Sequence, residues 1–410
     1  MLKIFVLTIG NEILQGKTVN TNLAFIGNEL SQIGLQITSS ATVKDEQESI
    51  LQLLREANRK FDIIITTGGL GPTRDDLTKS CFANFFHAPL KLDDVVWNDI
   101  KKLYKNDVNN IPESAKSQAE VPFGCKIIRN EIGTAPGLHY ESGNSHFFAL
   151  PGVPAEMQRM MRKYIIPFLK DNFSLPTLYM KTIHTFGIRE SKLSELIQNV
   201  QIESDVNIAF LPQNACVDIR LYSYDRKKYR RALGRIQAKA RKYIFGYDDE
   251  TLISVCHEKL IRMEKTLSVA ESCTGGLIQN LFTDQSGSSK YLAGGVVSYS
   301  NRIKNEVLGV RSKTLDEFGA VSEQTVAEML EGVQKKFNTD FSIAVSGVAG
   351  PSGGTKEKPV GLVYIGVNVD NKNTIQKFNF VGTRIQIKEK SALNAIDMLR
   401  KKLDIENEVD

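Results

Sequence analysis

A serine, a tyrosine and a lysine in the C-terminal third of this sequence have the side chains needed for covalent catalysis. The segment Gly287-Ser288-Ser289-Lys290 is followed by Tyr299 and Lys304. A serine attacks a carbonyl only if a base takes its proton, and this region contains no histidine, so the candidate bases are Lys304, Lys290 and Tyr299. Burial can lower the pKa of a lysine enough for it to act as a base. Serine hydrolase chemistry is one hypothesis among several, because such Ser-Ser and Tyr-Ser pairs are usually turn or strand residues.

Two glycine-rich segments of the same region point to an anionic ligand. Residues 270–276 read Ala-Glu-Ser-Cys-Thr-Gly-Gly, and residues 346–354 read Ser-Gly-Val-Ala-Gly-Pro-Ser-Gly-Gly. Each follows a predicted strand, and we expect free backbone N–H groups and a helix dipole to favour an anion at the strand-to-helix turn. One such loop is often only a tight connection. The two together predict a phosphate-bearing ligand.

A cysteine competes with serine for the role of nucleophile in the first of these segments. Cys273 carries a thiol, which is intrinsically a better nucleophile than a hydroxyl. A small buried thiol with a packing role is the simpler interpretation, and we prefer it.

The N-terminal region carries a second set of side chains suited to phosphate chemistry. Residues 10–17 read Gly-Asn-Glu-Ile-Leu-Gln-Gly-Lys, and residues 66–76 read Thr-Thr-Gly-Gly-Leu-Gly-Pro-Thr-Arg-Asp-Asp. The second segment follows a predicted buried strand and opens a helix, which suits a phosphate or a pterin-like ligand. Asp75 and Asp76 could bind a hard divalent cation. They could equally be acids that complement the dipole of a helix.

These segments need strands and helices to position them, and the chain predicts two separate three-layer α/β domains joined by a small α+β middle domain. We place the domains at residues 1–168, 169–248 and 249–410. Strands predicted at 4–8, 35–43 and 62–67 alternate with helical patterns in the first domain. Strands at 266–270, 294–299, 341–346 and 361–367, with helices at 322–336 and 387–403, make up the third. The middle domain has strands at 179–185 and 216–222 and a helix at 225–243.

The middle helix is strongly basic. It carries nine Lys and Arg residues between Arg226 and Lys242 and no acid. Its apolar residues fall at helical spacing and indicate one buried stripe, so we interpret the basic residues as its solvated face. These apolar residues are Tyr229, Leu233, Ile236, Ala240 and Tyr243.

Composition bounds the class of protein. With 410 residues, of which 41% are hydrophobic, the chain can form several cores, and its net charge of +5 suits anionic small molecules without requiring nucleic acid. The five cysteines form no C-x-x-C pair, and no stretch reaches membrane-spanning length. We therefore expect a reduced, cytoplasmic setting and no membrane. We expect the tail at residues 406–410 to be frayed.

Six ordered motifs make residues 249–403 similar to the CinA C-terminal family, whose function resembles that of the bacterial nicotinamide mononucleotide (NMN) deamidases. The motifs begin at Ala270, Gly287, Tyr299, Gly319, Ser346 and Lys358. The resemblance implies hydrolysis of the NMN carboxamide to nicotinic acid mononucleotide and ammonia through an acyl-enzyme, with no metal. It makes Ser289 the nucleophile, Lys304 its base and Tyr299 a proton donor or orienting group. The substrate-binding residues it implies are Ser272, Thr274, Gly275, Ser346, Gly347 and Arg384.

The first domain resembles the molybdenum-cofactor-biosynthesis fold, and more closely the branch found at the N-terminus of CinA proteins. Molybdopterin handlers usually show Gly-Gly-Thr-Gly, whereas this chain has Leu70 in the third place. The CinA branch instead implies an ADP-ribose pyrophosphatase that depends on a divalent metal cation. It places Glu12, Lys17, Gly68, Gly69, Gly71 and Thr73 at the diphosphate, and Asp45, Asp75, Asp76 and Glu156 at the cation.

Two other classes of function stay open from the sequence. The family name suggests a competence- or DNA-damage-associated accessory protein, but the basic face of the middle helix has no interleaved aromatic residues for base stacking. The other class is a nucleotide-binding module without catalysis. We expect small-molecule nucleotides as partners, namely NMN and ADP-ribose, no nucleic acid, and a homodimer by resemblance to the family.

Overall fold

The computed structural model describes residues 2–104, 111–198, 200–213 and 215–406. The chain divides into two units, Met1–Tyr179 and Met180–Asp410. The first unit extends beyond the predicted boundary at residue 168, because that residue lies inside a helix that continues to Asn172. The second unit contains both the middle and the third segment of the chain.

The strands of the first unit are short and mostly apolar. They are β1 (Ile4–Ile9), β2 (Ile37–Val43), β3 (Ile63–Thr67), β4 (Leu90–Leu92), β5 (Glu120–Pro122), β6 (Lys126–Ile128), β7 (Gly137–Ser142) and β8 (Ser145–Leu150).

The helices of the first unit alternate with these strands. They are α1 (Asn11–Leu14), α2 (Thr21–Gln32), α3 (Gln47–Asn58), α4 (Thr78–Phe85), α5 (Asp94–Leu103), α6 (Glu113–Gln118), α7 (Pro154–Met160) and α8 (Ile166–Asn172). A π-helical turn, Met161–Ile165, joins α7 to α8.

The sheet of the first unit is buried on both faces. Its strand order is β2-β1-β3-β8-β7-β6. The first four strands are parallel, β7 runs antiparallel to β8, and β6 runs antiparallel to β7. Ile4 and Val6 pack into one core and Phe5 and Leu7 into another, because successive side chains of a strand point to opposite faces. The predicted three-layer α/β architecture is confirmed for this unit.

Parallel pairing brings the carboxyl ends of three strands to one edge of this sheet. Thr8 of β1 pairs with Thr67 of β3, and Thr67 pairs with Leu150 of β8. The loops that follow these strands begin at Gly10, Gly68 and Pro151. The glycine-rich segments predicted from the sequence therefore meet at this edge.

The middle segment folds as a four-stranded sheet with helices. Its elements are β9 (Tyr179–Phe186), α9 (Glu190–Gln198), β10 (Asn207–Pro212), β11 (Cys216–Ser223), α10 (Arg226–Ala240) and β12 (Ile244–Tyr247). The strand order is β10-β11-β9-β12. The sequence predicted β9, β11 and α10 but did not predict α9, β10 or β12.

The basic helix α10 packs one face into this sheet and exposes the other. Tyr229, Ile236 and Ala240 are buried, as predicted. On the exposed face, Lys228 contacts Asp205 and Arg231 contacts Glu203. The interpretation of the charges as a solvated face fits this arrangement.

The last segment forms the larger part of the second unit. Its strands are β13 (Leu267–Glu271), β14 (Leu292–Val297), β15 (Phe341–Gly347), β16 (Leu362–Val369) and β17 (Lys372–Asn379). Its helices are α11 (Leu252–Met263), α12 (Leu277–Thr283), α13 (Asn301–Leu308), α14 (Ser312–Phe318), α15 (Glu323–Phe337) and α16 (Arg384–Glu406).

This sheet is again covered by helices on both faces. The strand order is β14-β13-β15-β16-β17. The first three strands are parallel, β16 runs antiparallel to β15, and β17 runs antiparallel to β16. Val269 packs with residues of α11, α12 and α16, and Ala270 packs with residues of α15. The carboxyl ends of β13, β14 and β15 meet at one edge, where open α/β sheets usually bind ligands.

Across the part of the chain that the structure describes, no helix combines the length and the apolar character needed to cross a membrane. The tail that was expected to be frayed lies outside the described residues from 407 onward.

Candidate functional site

The amine of Lys304 and the hydroxyl of Ser272 contact each other at the carboxyl ends of β13 and β14. Lys304 Nζ donates hydrogen bonds to Ser272 Oγ at 3.0 Å and to the Ser298 carbonyl oxygen at 2.6 Å. Ser272 directly follows β13, Ser298 follows β14, and Lys304 lies in α13. An amine and a hydroxyl at this separation have the geometry of a base and its nucleophile.

Lys304 is held out of water. Its residue exposure is 1%, and it lies on the inner face of α13 together with Leu308. Ser300 fixes the start of this helix by accepting a hydrogen bond from the Ile303 N–H. Burial lowers the pKa of Lys304 from 10.5 to about 8, because a charged ammonium is poorly solvated there. About a tenth of this amine is therefore neutral at pH 7.

Ser289 does not lie beside Lys304. It lies in a 3-10 turn, Ser288–Lys290, that precedes β14, whereas Lys304 follows β14. Because β13 and β14 run parallel, Ser289 lies near the amino end of the sheet and Lys304 at the carboxyl end, roughly 16 Å apart if a five-residue strand rises about 3.3 Å per residue. Within one chain the structure thus places Ser272 beside Lys304, and the nucleophile role of Ser289 stays a prediction.

Tyr299 and Arg384 form a pair at the rim of the site. Arg384 Nη2 donates to the Tyr299 hydroxyl at 2.9 Å, and Arg384 Nη1 donates to the Gly350 carbonyl oxygen at 2.7 Å. Tyr299 is 62% exposed. Among the described residues, the Tyr299 hydroxyl hydrogen-bonds to Arg384 and not to Lys304. The pair therefore lies at the exposed rim of the site, apart from the Ser272–Lys304 dyad.

Ser346 and Gly347 lie at the end of β15, next to the Ser272 loop. The Ser272 N–H donates to the Val345 carbonyl oxygen at 2.9 Å, which joins the two loops. The buried Ser346 hydroxyl donates to the Ala320 carbonyl oxygen at 2.6 Å. Ser346 therefore holds a neighbouring loop in place, and its substrate role remains a prediction.

The amino end of α12 is occupied by a carboxylate of the chain itself. Fully buried Glu271 accepts hydrogen bonds from the N–H groups of Gly276, Ile278 and Gln279 at 3.0–3.1 Å, and from the Gln279 side chain at 3.1 Å. The expectation that these N–H groups are free for a ligand anion is wrong. The helix dipole stabilises Glu271 instead.

The second glycine-rich loop also differs from the expectation. The segment from Ser346 to Gly354 joins β15 to the antiparallel strand β16, so no helix follows it. The two loops therefore supply no helix terminus to a phosphate, and a ligand anion at this edge would have to contact side chains.

Thr274 and Gly275 lie between Ser272 and the capped helix. Thr274 is fully buried, and its hydroxyl has no hydrogen-bond partner among the described residues. The amine of Lys388 lies over Gly275, 3.6 Å from where a β-carbon would stand. The site thus offers one unsatisfied hydroxyl and a nearby cation. Lys388 was not predicted from the sequence, although its place one turn after Arg384 on α16 was a usable signal.

Cys273 is buried, as the preferred interpretation held. Burial raises the pKa of its thiol to about 12, which leaves almost no thiolate at neutral pH. Its side chain is a poor nucleophile in this setting.

In the first unit, a cavity of about 690 Å³ lies at the carboxyl ends of β1, β3 and β8. The predicted residues that line it are Glu12, Lys17, Asp45, Gly68, Gly69, Gly71, Asp75, Asp76 and Glu156. Thr73 is not among the described residues that line the cavity. Its N–H and its hydroxyl donate hydrogen bonds to Asp76, which does line the cavity, at 2.8 and 2.5 Å. The structure therefore brings the predicted set together in one place.

Close backbone approach explains one glycine of this cavity. Gly68 has φ +104°, and a β-carbon there would lie 2.1 Å from the Ile9 carbonyl oxygen. A side chain at this position would separate the loops that follow β1 and β3.

The acidic residues of the cavity are hard oxygen donors, but they are not gathered around one point. Asp45 accepts from the Asn11 N–H at 3.0 Å, and Glu156 accepts from the Asn130 side chain at 2.7 Å. Burial raises the pKa of Asp45, and the nearby charges of Glu12 and Asp76 add to this effect. The hydrogen bond from Asn11 lowers the pKa, but the net shift is upward. Among the described residues, no three of these carboxylates lie within 4.8 Å of one another. The donor chemistry suits Mg²⁺, with water completing the coordination shell.

These features describe a two-unit α/β protein with a serine–lysine pair in one unit and an acidic, glycine-rich cavity in the other. Three family models match the chain. "CinA C-terminal domain" matches residues 249–403, "Probable molybdopterin binding domain" matches 5–171, and "Damage-inducible protein CinA KH domain" matches 180–247.

The chain belongs to the CinA family. It is 40% identical to a "CinA-like protein" from Endomicrobium trichonymphae, over 98% of this chain and 99% of that protein. Among solved structures, the protein CinA from Thermoplasma acidophilum is 38% identical, with a TM-score of 0.38 over 41% of this chain and 96% of its own. The competence or damage-inducible protein from Enterobacter asburiae is 34% identical, with a TM-score of 0.36 over 37% of this chain and 96% of its own.

Proposed function

We propose that the last segment of the chain hydrolyses the carboxamide of NMN, giving nicotinic acid mononucleotide and ammonia. The observation that supports this proposal is the 3.0 Å hydrogen bond between Lys304 Nζ and Ser272 Oγ. An amide needs an activated nucleophile, and a neutral lysine beside a serine provides one.

In the first half-reaction, neutral Lys304 takes the Ser272 proton while Oγ bonds to the carboxamide carbon. The tetrahedral intermediate collapses when the protonated lysine returns this proton to the departing nitrogen, which leaves as ammonia. Ser272 then carries the nicotinoyl group as an ester. In the second half, Lys304 takes a proton from water, the hydroxide oxygen attacks the ester carbon, and Ser272 recovers its proton.

Lys304 is well placed for both proton transfers. The Ser298 carbonyl oxygen accepts a second hydrogen bond from its amine and so fixes the position of Nζ. The low solvent exposure keeps competing water away from this amine. At the rim, Arg384 and Lys388 would contact the nucleotide phosphate, since Glu271 already occupies the helix terminus.

The test is ammonia release from NMN by the purified full-length chain. We expect Ser272→Ala to lose roughly 10³-fold or more in kcat, and Lys304→Ala to lose about 10²- to 10⁴-fold. Ser289→Ala is the matched control, because it removes the same hydroxyl at the other end of the sheet and should keep wild-type activity.

Two outcomes would contradict the proposal. Loss of activity in Ser289→Ala with retention in Ser272→Ala would restore the other serine as nucleophile. No ammonia from the wild-type protein would show that the dyad acts on another substrate or only binds one.

We propose ADP-ribose diphosphate hydrolysis as a second activity, in the first unit. The observation that favours it is that Lys17 and five carboxylates line the same cavity. Asp45, Asp76 and Glu156 are the residues that would hold a divalent cation, which would neutralise charge on the diphosphate. Lys17 would contact a phosphate oxygen directly.

This second activity is tested by release of AMP from ADP-ribose with Mg²⁺ and with a chelator. We expect Asp76→Asn to lower the rate at least about tenfold. Asp94→Asn, at the exposed start of α5, is the control. Equal rates of AMP release by Asp76→Asn and Asp94→Asn would show that the cavity does not catalyse this reaction.

A further inference from the structure

We propose that His139, Glu141 and His146 form a binding site for Zn²⁺ at the β7–β8 hairpin. One ligand atom from each of these residues lies within 4.8 Å of the other two. The donor set of two imidazoles and a carboxylate is one that zinc prefers.

The hairpin places the three side chains on one face of the sheet. Glu141 on β7 and His146 on β8 are direct cross-strand partners, and His139 lies two residues before Glu141. Residues two apart on a strand point to the same face. The cluster is therefore held by the backbone pairing of two strands rather than by a loop.

The two imidazoles already have the spacing of ligands on one tetrahedral ion. His139 Nε2 and His146 Nδ1 are 3.2 Å apart. Two nitrogens at about 2.0–2.1 Å from a tetrahedral zinc lie about 3.3 Å from each other. A metal ion fits between them with little movement of either ring.

The carboxylate needs a small adjustment. Glu141 Oε1 is 4.0 Å from His139 Nε2 and 4.0 Å from His146 Nδ1. It also accepts a hydrogen bond from Lys126 Nζ at 2.6 Å. Glu141 and Lys126 are largely exposed, so the carboxylate can turn toward the ion, but Lys126 competes with the metal for it.

The surroundings favour neutral imidazoles in fixed orientations. The Tyr164 hydroxyl lies 3.0 Å from His139 Nδ1 and would accept its proton. His139 Nε2, which now hydrogen-bonds to His146 Nδ1, then has a lone pair that the ion would take once it replaces the proton between the two rings. The His139 ring stacks on Phe148, and Phe168 packs against both histidines. Burial lowers the pKa of His139 to about 4 and also lowers that of His146, so protons compete little for their nitrogens at pH 7.

This site is separate from the acidic cavity of the first unit. His146 lies at the amino end of β8, and the cavity is lined by Pro151 and Gly152 beyond the carboxyl end of the same strand. The cavity offers oxygen donors and suits a hard cation, whereas the hairpin offers nitrogen donors and suits Zn²⁺.

The experiment is calorimetric titration of Zn²⁺ into the metal-stripped full-length chain. Excess Mg²⁺ is present throughout to fill oxygen-only sites. We expect one Zn²⁺ to bind to the wild-type protein, and His146→Gln and Glu141→Gln each to weaken this binding by more than about tenfold. His257→Gln, whose ring contacts Tyr291 in the other unit, is the matched control and should bind like the wild type.

Lys126→Gln gives a result that a purely structural role for the cluster would not. Removing the competing amine should tighten Zn²⁺ binding several-fold. Circular dichroism checks that each variant is folded, and Glu141→Gln, on the exposed side, carries the test if His146→Gln does not fold. Absence of Zn²⁺ binding to the wild type, or equal binding by the wild type, His146→Gln and Glu141→Gln, would overturn the proposal.

Discussion

The pH dependence of NMN hydrolysis tests the role of Lys304 most directly. Only the neutral amine can take the Ser272 proton, and burial lowers the pKa of this amine from 10.5 to about 8. At pH 7 about 9% of such an amine is neutral, at pH 8 about half, and at pH 9 about 91%. An exposed lysine would be only about 0.03% neutral at pH 7, so burial raises the reactive fraction roughly 300-fold.

We therefore expect kcat/KM for ammonia release to rise about tenfold between pH 7 and pH 9 and to level off above. The ratio kcat/KM is the right quantity, because its pH profile reports groups of the free enzyme. Measurements begin at pH 7, since the substrate phosphate titrates near pH 6. The Ser289→Ala variant serves as the control and should give the same midpoint.

Two results would refute this reasoning. A midpoint near 10 would mean that the catalytic lysine is solvated, contrary to the 1% exposure of Lys304. A rate that falls as pH rises through 8 would mean that the protonated amine is the active form, so that Lys304 would act as an acid or an electrostatic anchor.

Three further predictions concern the residues around the dyad. The pKa of Lys304 is lower in the folded protein than in the unfolded chain, so folding becomes more favourable as this amine loses its proton. The free energy of unfolding of the wild type relative to Lys304→Met, measured by urea denaturation, should therefore rise by about 3 kcal/mol as pH increases from about 8 to 10.5. Glu271→Gln should lower the free energy of unfolding by about 2–4 kcal/mol, because buried N–H donors lose their charged acceptor; an unchanged denaturation midpoint would contradict this. Cys273→Ala should keep ammonia release within about twofold of the wild type, since its thiol pKa is raised to about 12; a loss as large as that of Ser272→Ala would make the thiol the nucleophile.

Much of the fold could be predicted from the hydrophobic patterns of the sequence. The strands β3, β13 and β15 lie within a residue or so of their predicted bounds, because continuous apolar runs define strands buried on both faces. The edge strand β17 was missed because its sequence, Lys-Asn-Thr-Ile-Gln-Lys-Phe-Asn, is mostly polar and its burial is slight. This segment is a strand because it pairs with β16, and no local sequence pattern predicts that pairing.

Residue types alone do not determine which side chains of the site contact each other. The sequence offered Lys304 as a base, and the resemblance to the CinA family implied Ser289 as its nucleophile, whereas the structure places Ser272 beside this amine. The directions of β13 and β14 account for this placement, because Ser272 follows a strand while Ser289 precedes one. The rule that ligands bind at carboxyl ends of strands was available and favoured Ser272. The role of Glu271 depends on tertiary placement, since an acid at a strand end is equally compatible with a ligand contact.

The acidic cavity was predicted more completely, because each of its loops directly follows a strand of one parallel set. Side-chain conformations then decide whether carboxylates converge on a cation, and Asp45 and Glu156 are turned toward Asn11 and Asn130. Such choices among rotamers are not encoded in residue spacing.

The carboxylate of Glu271 has a consequence for successive turnovers. Many loops at helix termini depend on a bound phosphate to hold their shape and relax when the ligand departs. Here the stabilising anion is part of the chain, so the hydrogen bonds that hold the loop of Ser272 and Thr274 do not depend on a bound ligand. In the proposed mechanism Ser272 is therefore preorganised, and the next substrate would meet it without a cost in loop ordering.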